Sequence, residues 1–409
     1  MGKRNRLVVG LDIGMTKVCG VVGEVTPEGG LEVIGIGQRP SKGLRKGLIV
    51  DADGARDAII AALEDAEVMG GVRIESAYVG ISGSQAEGVT SEGSVEIRSR
   101  EVTPRDVQHA LEAARTLLSP GDHSVLHVIP QAFALDGEEG VANPIGMAGA
   151  RLGVRARLIT AGNAVLENLR QVLDLARVEV QEVVAQQLAS AEAVLTQEEK
   201  EAGVALIDIG GGTSHIVVYR QGSPQHVCSV AVGGHHVTHD LSVGLRTPIA
   251  EAERLKKRYG CALLSMVNVE DLVEVPSVGV NEMRAFPRKF LAEIIEPRVE
   301  EIFALALHQI QRSGLSPALS AGVVITGGAS AMPGMAQAAE GVFELPARVG
   351  VPLNIVGLTD LVSHPMFATV VGLAQYGRHR LLEADAAYAP SFAVGRLFQR
   401  MAAWLHELF

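Results

Sequence analysis

The chain reads as a duplicated α/β fold, with a small α+β domain inserted in its first half and an amphipathic helix at its C-terminus. Three observations predict this. The first is a glycine-rich turn between two strand-like runs from Val204 to Tyr219, V-A-L-I-D-I-G-G-G-T-S-H-I-V-V-Y. The second is the stretch L-V-V-G-L-D-I-G-M-T-K-V-C-G-V-V-G-E-V from Leu7 to Val25, which repeats the strand, Asp, Ile-Gly, polar turn and returning strand. Two such units predict two halves, each offering one hairpin to a shared cleft. The third is an apolar helical stripe confined to residues 391–409.

The residue types at the hairpin turns suit phosphate. Gly210, Gly211 and Gly212 let backbone N–H groups approach phosphate oxygens closely, Thr213 adds a hydroxyl, and Asp208 at the strand end can hold a Mg²⁺ ion through water. In the first half, Asp12 and Gly14 precede the polar pair Thr16 and Lys17.

Composition supports this class and excludes others. The 409 residues are 47% hydrophobic but only 4% aromatic, with 46 glycines, as expected for a Val/Ile/Leu/Ala-rich α/β protein of two or more domains. A formal charge of −11 with no long Lys/Arg run argues against nucleic acid as a partner. Cys19, Cys228 and Cys261 lack metal-type spacing and fit a reducing cytosol. The basic start is not read as an export signal, because Asp12 and Lys17 interrupt the apolar run after it. The uncharged stretch Ser313 to Ala339 is broken by prolines and Gly327-Gly328, so no membrane span is expected there.

After the first hairpin, Leu31 to Gly37 continues the sheet, and Asp51 to Met69 has helical spacing with an Asp start and a Gly-Gly stop. Ile74 to Ile81 reads as a buried strand. From Ser82 the texture changes: a strand at Ser94 to Arg98, a helix from Thr103-Pro104 to Leu118, then strands at His123 to Ile129, Phe133 to Leu135 and Val154 to Thr160. This is the insertion, 84–160, splitting a first half of 1–83 and 161–196. A helix at Asn163 to Ala176, a strand at Glu179 to Val184 and a helix at Leu188 to Leu195 follow, and polar Thr196 to Ala202 marks the boundary.

The second half, 197–382, repeats the plan with a strand at Ser229 to Val232, a Gly233-Gly234 turn, and helices at His235 to Leu245 and Pro248 to Tyr259. Cys261 to Met283 reads as irregular, and Pro287 to Arg312 as a long helix bent at Pro297. A buried strand ends at Thr326. Its turn, Gly327, Gly328 and Ala329, brings bare backbone to the place where a flat purine could stack, and Glu253 with Lys256 could clamp the other edge and the ribose. His235, His236 and His239 have only Asp240 nearby as a third ligand and are not read as a metal site.

These motifs together resemble the actin/Hsp70/sugar-kinase ATPase superfamily, which implies an actin-like (ribonuclease-H-like) fold. L-H-V-I-P-Q at Leu126 to Gln131, N-P-I-G at Asn143 to Gly146, V-E-V-P-S-V-G at Val273 to Gly279, I-I-E-P-R at Ile294 to Arg298 and P-L-N-I-V-G-L-T-D at Pro352 to Asp360 narrow the resemblance to the FtsA family of bacterial cell-division proteins. That resemblance covers nearly the whole chain. It implies ATP and Mg²⁺ in the cleft, head-to-tail filaments, and other division proteins bound through the insertion. It also implies a grip on the C-terminal tail of the tubulin-like FtsZ by the outer subdomain near 233–312, with Arg298 and Glu301 as candidates. Superfamily ATPases often orient the attacking water with a Gln or Glu before the connecting helix; here Gln186 and Gln187 stand there.

The expected linker 383–390 precedes the terminal stripe of Leu397, Phe398, Met401, Trp404, Leu405 and Leu408, which holds the only tryptophan. This is the expected lipid anchor. The whole reads as an ATP-binding scaffold that polymerises at the division site on the inner face of the cytoplasmic membrane and tethers FtsZ to it. The rivals are a pilus-assembly-type peptide adaptor and a small-molecule kinase of the same superfamily.

Overall fold

The N-terminal apolar runs pair as an antiparallel hairpin of β1 (Leu7–Ile13) and β2 (Lys17–Val25), and β3 (Leu31–Pro40) extends it. The small β4 (Leu44–Arg45) and β5 (Leu48–Ile49) pair on their own. Helix α1 (Ala52–Gly70) starts where the Asp51 carboxylate accepts the Gly54 N–H, and β6 (Ser76–Ile81) returns parallel to β1. The structure, a computed structural model, describes residues 6–45, 47–82, 86–117, 121–268, 270–276 and 283–388.

The insertion comprises β7 (Ala86–Glu96), α2 (Pro104–Leu117), β8 (His123–Leu135), β9 (Glu138–Val141) and β10 (Arg151–Gly162). Its sheet runs in the order β7-β10-β8-β9, with α2 packed over Phe133, Leu152, Val154 and Ala156. The two strands expected at 123–129 and 133–135 are one, because Pro130 stays in register opposite Ala156 and a bulge absorbs Gln131 without ending the ladder.

The chain then re-enters the first half through α3 (Asn163–Leu175) and β11 (Glu179–Ala185), giving a sheet of order β11-β6-β1-β2-β3. Helix α4 (Gln186–Val194) crosses to the second half. The stretch expected as a polar boundary forms α5 (Gln197–Ala202), opened by a Thr196–Glu199 capping box.

The second half repeats the first. It has β12 (Val204–Ile209), β13 (Ser214–Arg220) and β14 (Ser223–Val230), helices α6 (Gly234–Leu245) and α7 (Ile249–Tyr259), the strands β15 (Leu272–Pro276) and β16 (Met283–Pro287), and α8 (Arg288–Arg312). The chain continues with β17 (Val323–Thr326), α9 (Met335–Phe343) and β18 (Ala347–Val349), and the sheet order β14-β13-β12-β17-β18 matches that of the first half. The region expected to be irregular holds the β15–β16 hairpin, in which Val273 and Val275 are buried in the alternation of a half-buried strand.

The C-terminal part corrects the expected boundaries. β19 (Ile355–Gly357) pairs parallel with β3, and after α10 (Thr359–Val362) helix α11 (Ala368–Tyr388) packs on β1 and β2, so this part of the expected second half lies on the first. Helix α11 also runs through most of the expected linker 383–390. The expected membrane stripe from Leu397 to Leu408 lies outside the described residues. Helices α4 and α11 pack on each other, and one hydrophobic core continues past them from the first sheet to Leu206, Val217 and Val324 of the second.

Candidate nucleotide cleft

The two hairpins meet tip to tip. A β-carbon at Gly211 would lie 2.3 Å from Thr16 Oγ1 and 3.0 Å from His235 Cε1. Glycine at this position is therefore what lets the tips touch. Across the contact, Thr16 Oγ1 and His235 Nε2 are 3.2 Å apart.

Backbone polarity at the second tip is unevenly used. The Gly210 N–H donates to the Thr213 carbonyl, while the Gly210 and Gly211 carbonyls accept from the Gly234 and His235 N–H groups at 2.9 and 2.7 Å. Among the described residues the N–H groups of Gly211 and Gly212 find no acceptor, which leaves two adjacent donors available to an anion. The Thr213 hydroxyl is itself buried and 3.1 Å from Nε2 of His215, whose burial holds its pKa below the ordinary value.

Both aspartates are buried and tied to the same helix. Gln186 Nε2 donates to Asp12 Oδ1 at 2.7 Å, and Ser190 Oγ, one turn on, donates to Asp208 Oδ2. Residues four apart share a helix face, so one face of α4 reaches both hairpins. Thr369 at the start of α11 adds a second hydroxyl to Asp208 at 3.0 Å. Burial pushes the Asp12 carboxyl up to about 6, opposed by Lys17 and by the Gln186 hydrogen bond, with the Asp208 charge adding to the rise. Two buried carboxylates that feel each other's charge suit a divalent cation that keeps its waters and takes one or two carboxylate contacts, as Mg²⁺ does.

The Lys17 ammonium donates to the Met366 carbonyl at 2.7 Å and lies 4.3 Å from the centre of the Phe367 ring. One of its three donors is thus spent on the segment leading into α11.

The expected nucleoside residues also converge. Gly327, at φ +86°, sits where a β-carbon would lie 2.3 Å from Asp208 Oδ1 and 2.6 Å from the Ile209 carbonyl, and Gly328 and Ala329 open a short 3-10 turn after it. A β-carbon at Gly234 would be 3.1 Å from that of Ala329 and 3.5 Å from Lys256 Nζ. Lys256 donates to the Gly234 carbonyl and the Thr238 hydroxyl and pairs with Glu253 at 2.7 Å. Burial works against ionising Glu253, yet hydrogen bonds from Lys256 and Thr238 hold its carboxyl down at about 2.

Arg298 and Glu301 stand apart. The Arg298 guanidinium binds both Asp240 oxygens, at 2.6 and 3.2 Å, and also reaches Glu301, so it fastens α8 to α6. Of the three histidines, His235 faces Thr16, His236 Nδ1 accepts the Gly233 N–H, and His239 is 4.0 Å from Asp240. Among the described residues no group of three His, Cys, Asp or Glu side chains is placed to hold a metal directly.

Sequence reasoning missed Ser190, Thr369 and His235. Ser190 carried a usable signal, the helical spacing from Gln186; Thr369 did not, since only the return of α11 brings it near.

Two family models match this chain. The one described as "Cell division protein FtsA" matches residues 205–372, and "SHS2 domain inserted in FTSA" matches 83–160. The cell division protein FtsA of Pseudomonas aeruginosa is 40% identical over 410 residues, covering 99% of this chain and 98% of that protein. That of Escherichia coli K12 is 39% identical over 413 residues, again covering 99% and 98%. Among solved structures, a chain of the PilM-PilN type IV pilus biogenesis complex superposes with a TM-score of 0.63 at 16% identity over 91% of this chain and 98% of that one. MreB5 of Spiroplasma citri bound to ADP does so with a TM-score of 0.55 at 13% identity over 93% and 98%. Identity this low speaks for the fold alone, which is actin-like.

Proposed function

The chain belongs to the FtsA family of cell division proteins, and from that premise we propose that it is an actin-like ATP-binding scaffold of the division ring. It polymerises on the inner face of the cytoplasmic membrane and tethers FtsZ filaments there. The observation that carries the nucleotide part is the tip-to-tip hairpin pair, with two unused backbone donors at Gly211 and Gly212 and two carboxylates held by one helix face.

In this reading Asp12 and Asp208 hold Mg²⁺ through its waters, and Thr16, Lys17, Gly211, Gly212 and Thr213 receive the phosphates, while the N–H groups of Gly14 and Gly210 close the two turns on the Lys17 and Thr213 carbonyls. Gly327 to Ala329, with Gly234, flank the base, and the Glu253–Lys256 pair borders the ribose. Mg²⁺ supplies charge neutralisation at the phosphates; the chain's residues bind and orient. Gln186 already donates one N–H to Asp12, so it fixes that carboxylate, and its side-chain carbonyl and second N–H are left to orient a water.

Membrane attachment is assigned to the stripe from Leu397 to Leu408, and the FtsZ tail to the outer subdomain around Arg298 and Glu301. The insertion is the surface for other division proteins. No helix of the described residues is long and apolar enough to cross a membrane, which suits a peripheral anchor.

Co-sedimentation with anionic liposomes in Mg²⁺-ATP tests this reading, comparing the full chain with one ending at Ala389. Pelleting of the full chain alone, with FtsZ joining the pellet only in its presence, is the expected result. Pelleting of both chains moves the lipid contact elsewhere, and pelleting of neither removes the tether.

A further inference from the structure

One motif of the sequence is absorbed by none of these roles: L-H-V-I-P-Q, Leu126 to Gln131, on β8 of the insertion. It lies where the insertion meets both halves of the molecule. On one side Pro130 accepts a hydrogen bond from the Ser223 hydroxyl through its carbonyl, and Gln131 Nε2 donates to the Gln225 carbonyl, both partners being on β14. On the other side His127 reaches the first half.

His127 is buried, and its Nε2 accepts the backbone N–H of Ala185 at 3.2 Å. Ala185 ends β11 and is the N-cap residue of α4, a cap with no side-chain hydrogen bond of its own. The next residue is Gln186, which holds Asp12, and Ser190 one turn later holds Asp208. Tyr376 of α11 closes the other side of the ring, edge-on with centroids 5.9 Å apart, and its hydroxyl donates to Glu182 of β11 at 2.6 Å. Arg380 of α11 pairs with the same carboxylate at 2.9 Å. An imidazole can accept through Nε2 only when that nitrogen carries no proton, and burial keeps this ring neutral.

We infer that His127, lent by the inserted domain, is a positioning residue for the nucleotide cleft: its hydrogen bond to the Ala185 N–H sets the first turn of α4 and so aims Gln186 at Asp12. This rests on the nucleotide reading of the cleft. It follows that displacement of the insertion by a bound protein acts on the cleft through a path two residues long.

The test uses the full chain and the affinity for a fluorescent ATP analogue with Mg²⁺. His127→Phe keeps a ring and loses the acceptor; His127→Gln keeps an acceptor near the Nε2 position. Ala185→Pro removes the donor while leaving His127 alone, and the native φ of −64° at Ala185 already suits proline. Both His127→Phe and Ala185→Pro should weaken binding by about threefold to tenfold, the worth of one neutral hydrogen bond, and His127→Gln should restore it to within about twofold. In a Gln186→Ala background, His127→Phe should have no further effect, because the route to Asp12 is already cut.

A purely structural role would lower melting temperature in all three variants with affinity unmoved, and that result overturns the inference. So does a His127→Phe effect that persists undiminished without Gln186. If the unmodified chain binds no ATP, the nucleotide reading itself fails and this inference goes with it. Binding that is indifferent to His127 sinks the inference alone.

Discussion

The first hairpin presents Thr16 and Lys17 at its tip, and the second presents three glycines in the same place. Their backbones follow one plan: an aspartate near the end of a central strand, an antiparallel neighbour and a parallel neighbour in register. The surroundings of the two aspartates differ. Asp12 has Gly80 as its parallel partner, and the space that glycine leaves is filled by Gln186; Asp208 has Thr326, and the room is made one residue later by Gly327. One carboxylate is held by an amide and the other by two hydroxyls. Among the described residues the duplicated backbone thus leaves two N–H groups without an acceptor at each tip, those of Met15 and Thr16 in the first and of Gly211 and Gly212 in the second, and the first tip adds the side-chain donors of Thr16 and Lys17.

The largest effect should separate the two glycines. At Gly327 an added methyl meets the Ile209 carbonyl at 2.6 Å, which is backbone, and the residue must also hold φ +86°. Gly327→Ala should cost about 3 kcal/mol or more and abolish nucleotide binding. At Gly80 the same methyl meets only the side chains of Gln186 and Leu373, at 3.2 Å, and these can shift. Gly80→Ala should cost about 1 kcal/mol. Thermal or urea unfolding of both variants checks the difference, and equal losses would break the comparison.

Acid should act next, through the support of the first hairpin. Burial lowers the His127 pKa from 6.5 to about 4, so the folded state favours the neutral ring. Below about pH 6.5 the unfolded chain takes up a proton that the folded chain refuses, and stability falls until the folded ring also titrates near pH 4. At about 1.4 kcal/mol per pH unit the loss from this residue is about 3 kcal/mol. Denaturant unfolding across that range should show a shallower fall in His127→Phe than in the unmodified chain.

The division between the hairpins explains what could be read from sequence. Strand, aspartate and glycine turn are local, so both hairpins, the capped α1 and the change of texture at the insertion were legible. Ser190 and Thr369 on Asp208, and the seam between Pro130 and β14, depend on elements distant in the chain coming together. The return of β19 and α11 to the first half was equally hidden, since a parallel pairing with β3 leaves no mark on either strand alone. The β15–β16 hairpin was missed for a different reason. Its alternation is short, and Pro276 at its end reads as a breaker although an edge position tolerates it.

A smaller contrast lies on α4. Ser190→Ala removes a hydrogen bond to a buried carboxylate and should cost about 1.5 to 3 kcal/mol. Gln186→Ala should cost less, about 1 kcal/mol, because Asp12 already has a raised pKa and can take up a proton when its donor is lost. Unfolding at pH 7 compares them. A larger loss in Gln186→Ala would mean that the amide bond to Asp12, rather than the hydroxyls on Asp208, sets the relation between the halves.

The smallest effect is expected where the tips touch. The Thr16 hydroxyl is exposed and its contact with His235 is 3.2 Å long. Burial and the neighbouring Lys256 charge hold the His235 pKa below the ordinary value, so at neutral pH this is a contact between neutral groups that water can replace. Thr16→Ala should therefore change stability by less than about 1 kcal/mol. Affinity for Mg²⁺-ATP should nevertheless fall, because the Thr16 hydroxyl is a side-chain donor that the three glycines of the second tip do not supply. Gly211→Ala should show the opposite balance: its methyl intrudes on Thr16 and His235, forces the tips apart, and removes no donor. Differential scanning fluorimetry with and without nucleotide separates the two patterns. If Thr16→Ala destabilised the apo protein as strongly as Ser190→Ala, the tip contact would be a structural latch between the halves, and the assignment of side-chain chemistry to the first hairpin would have to be given up.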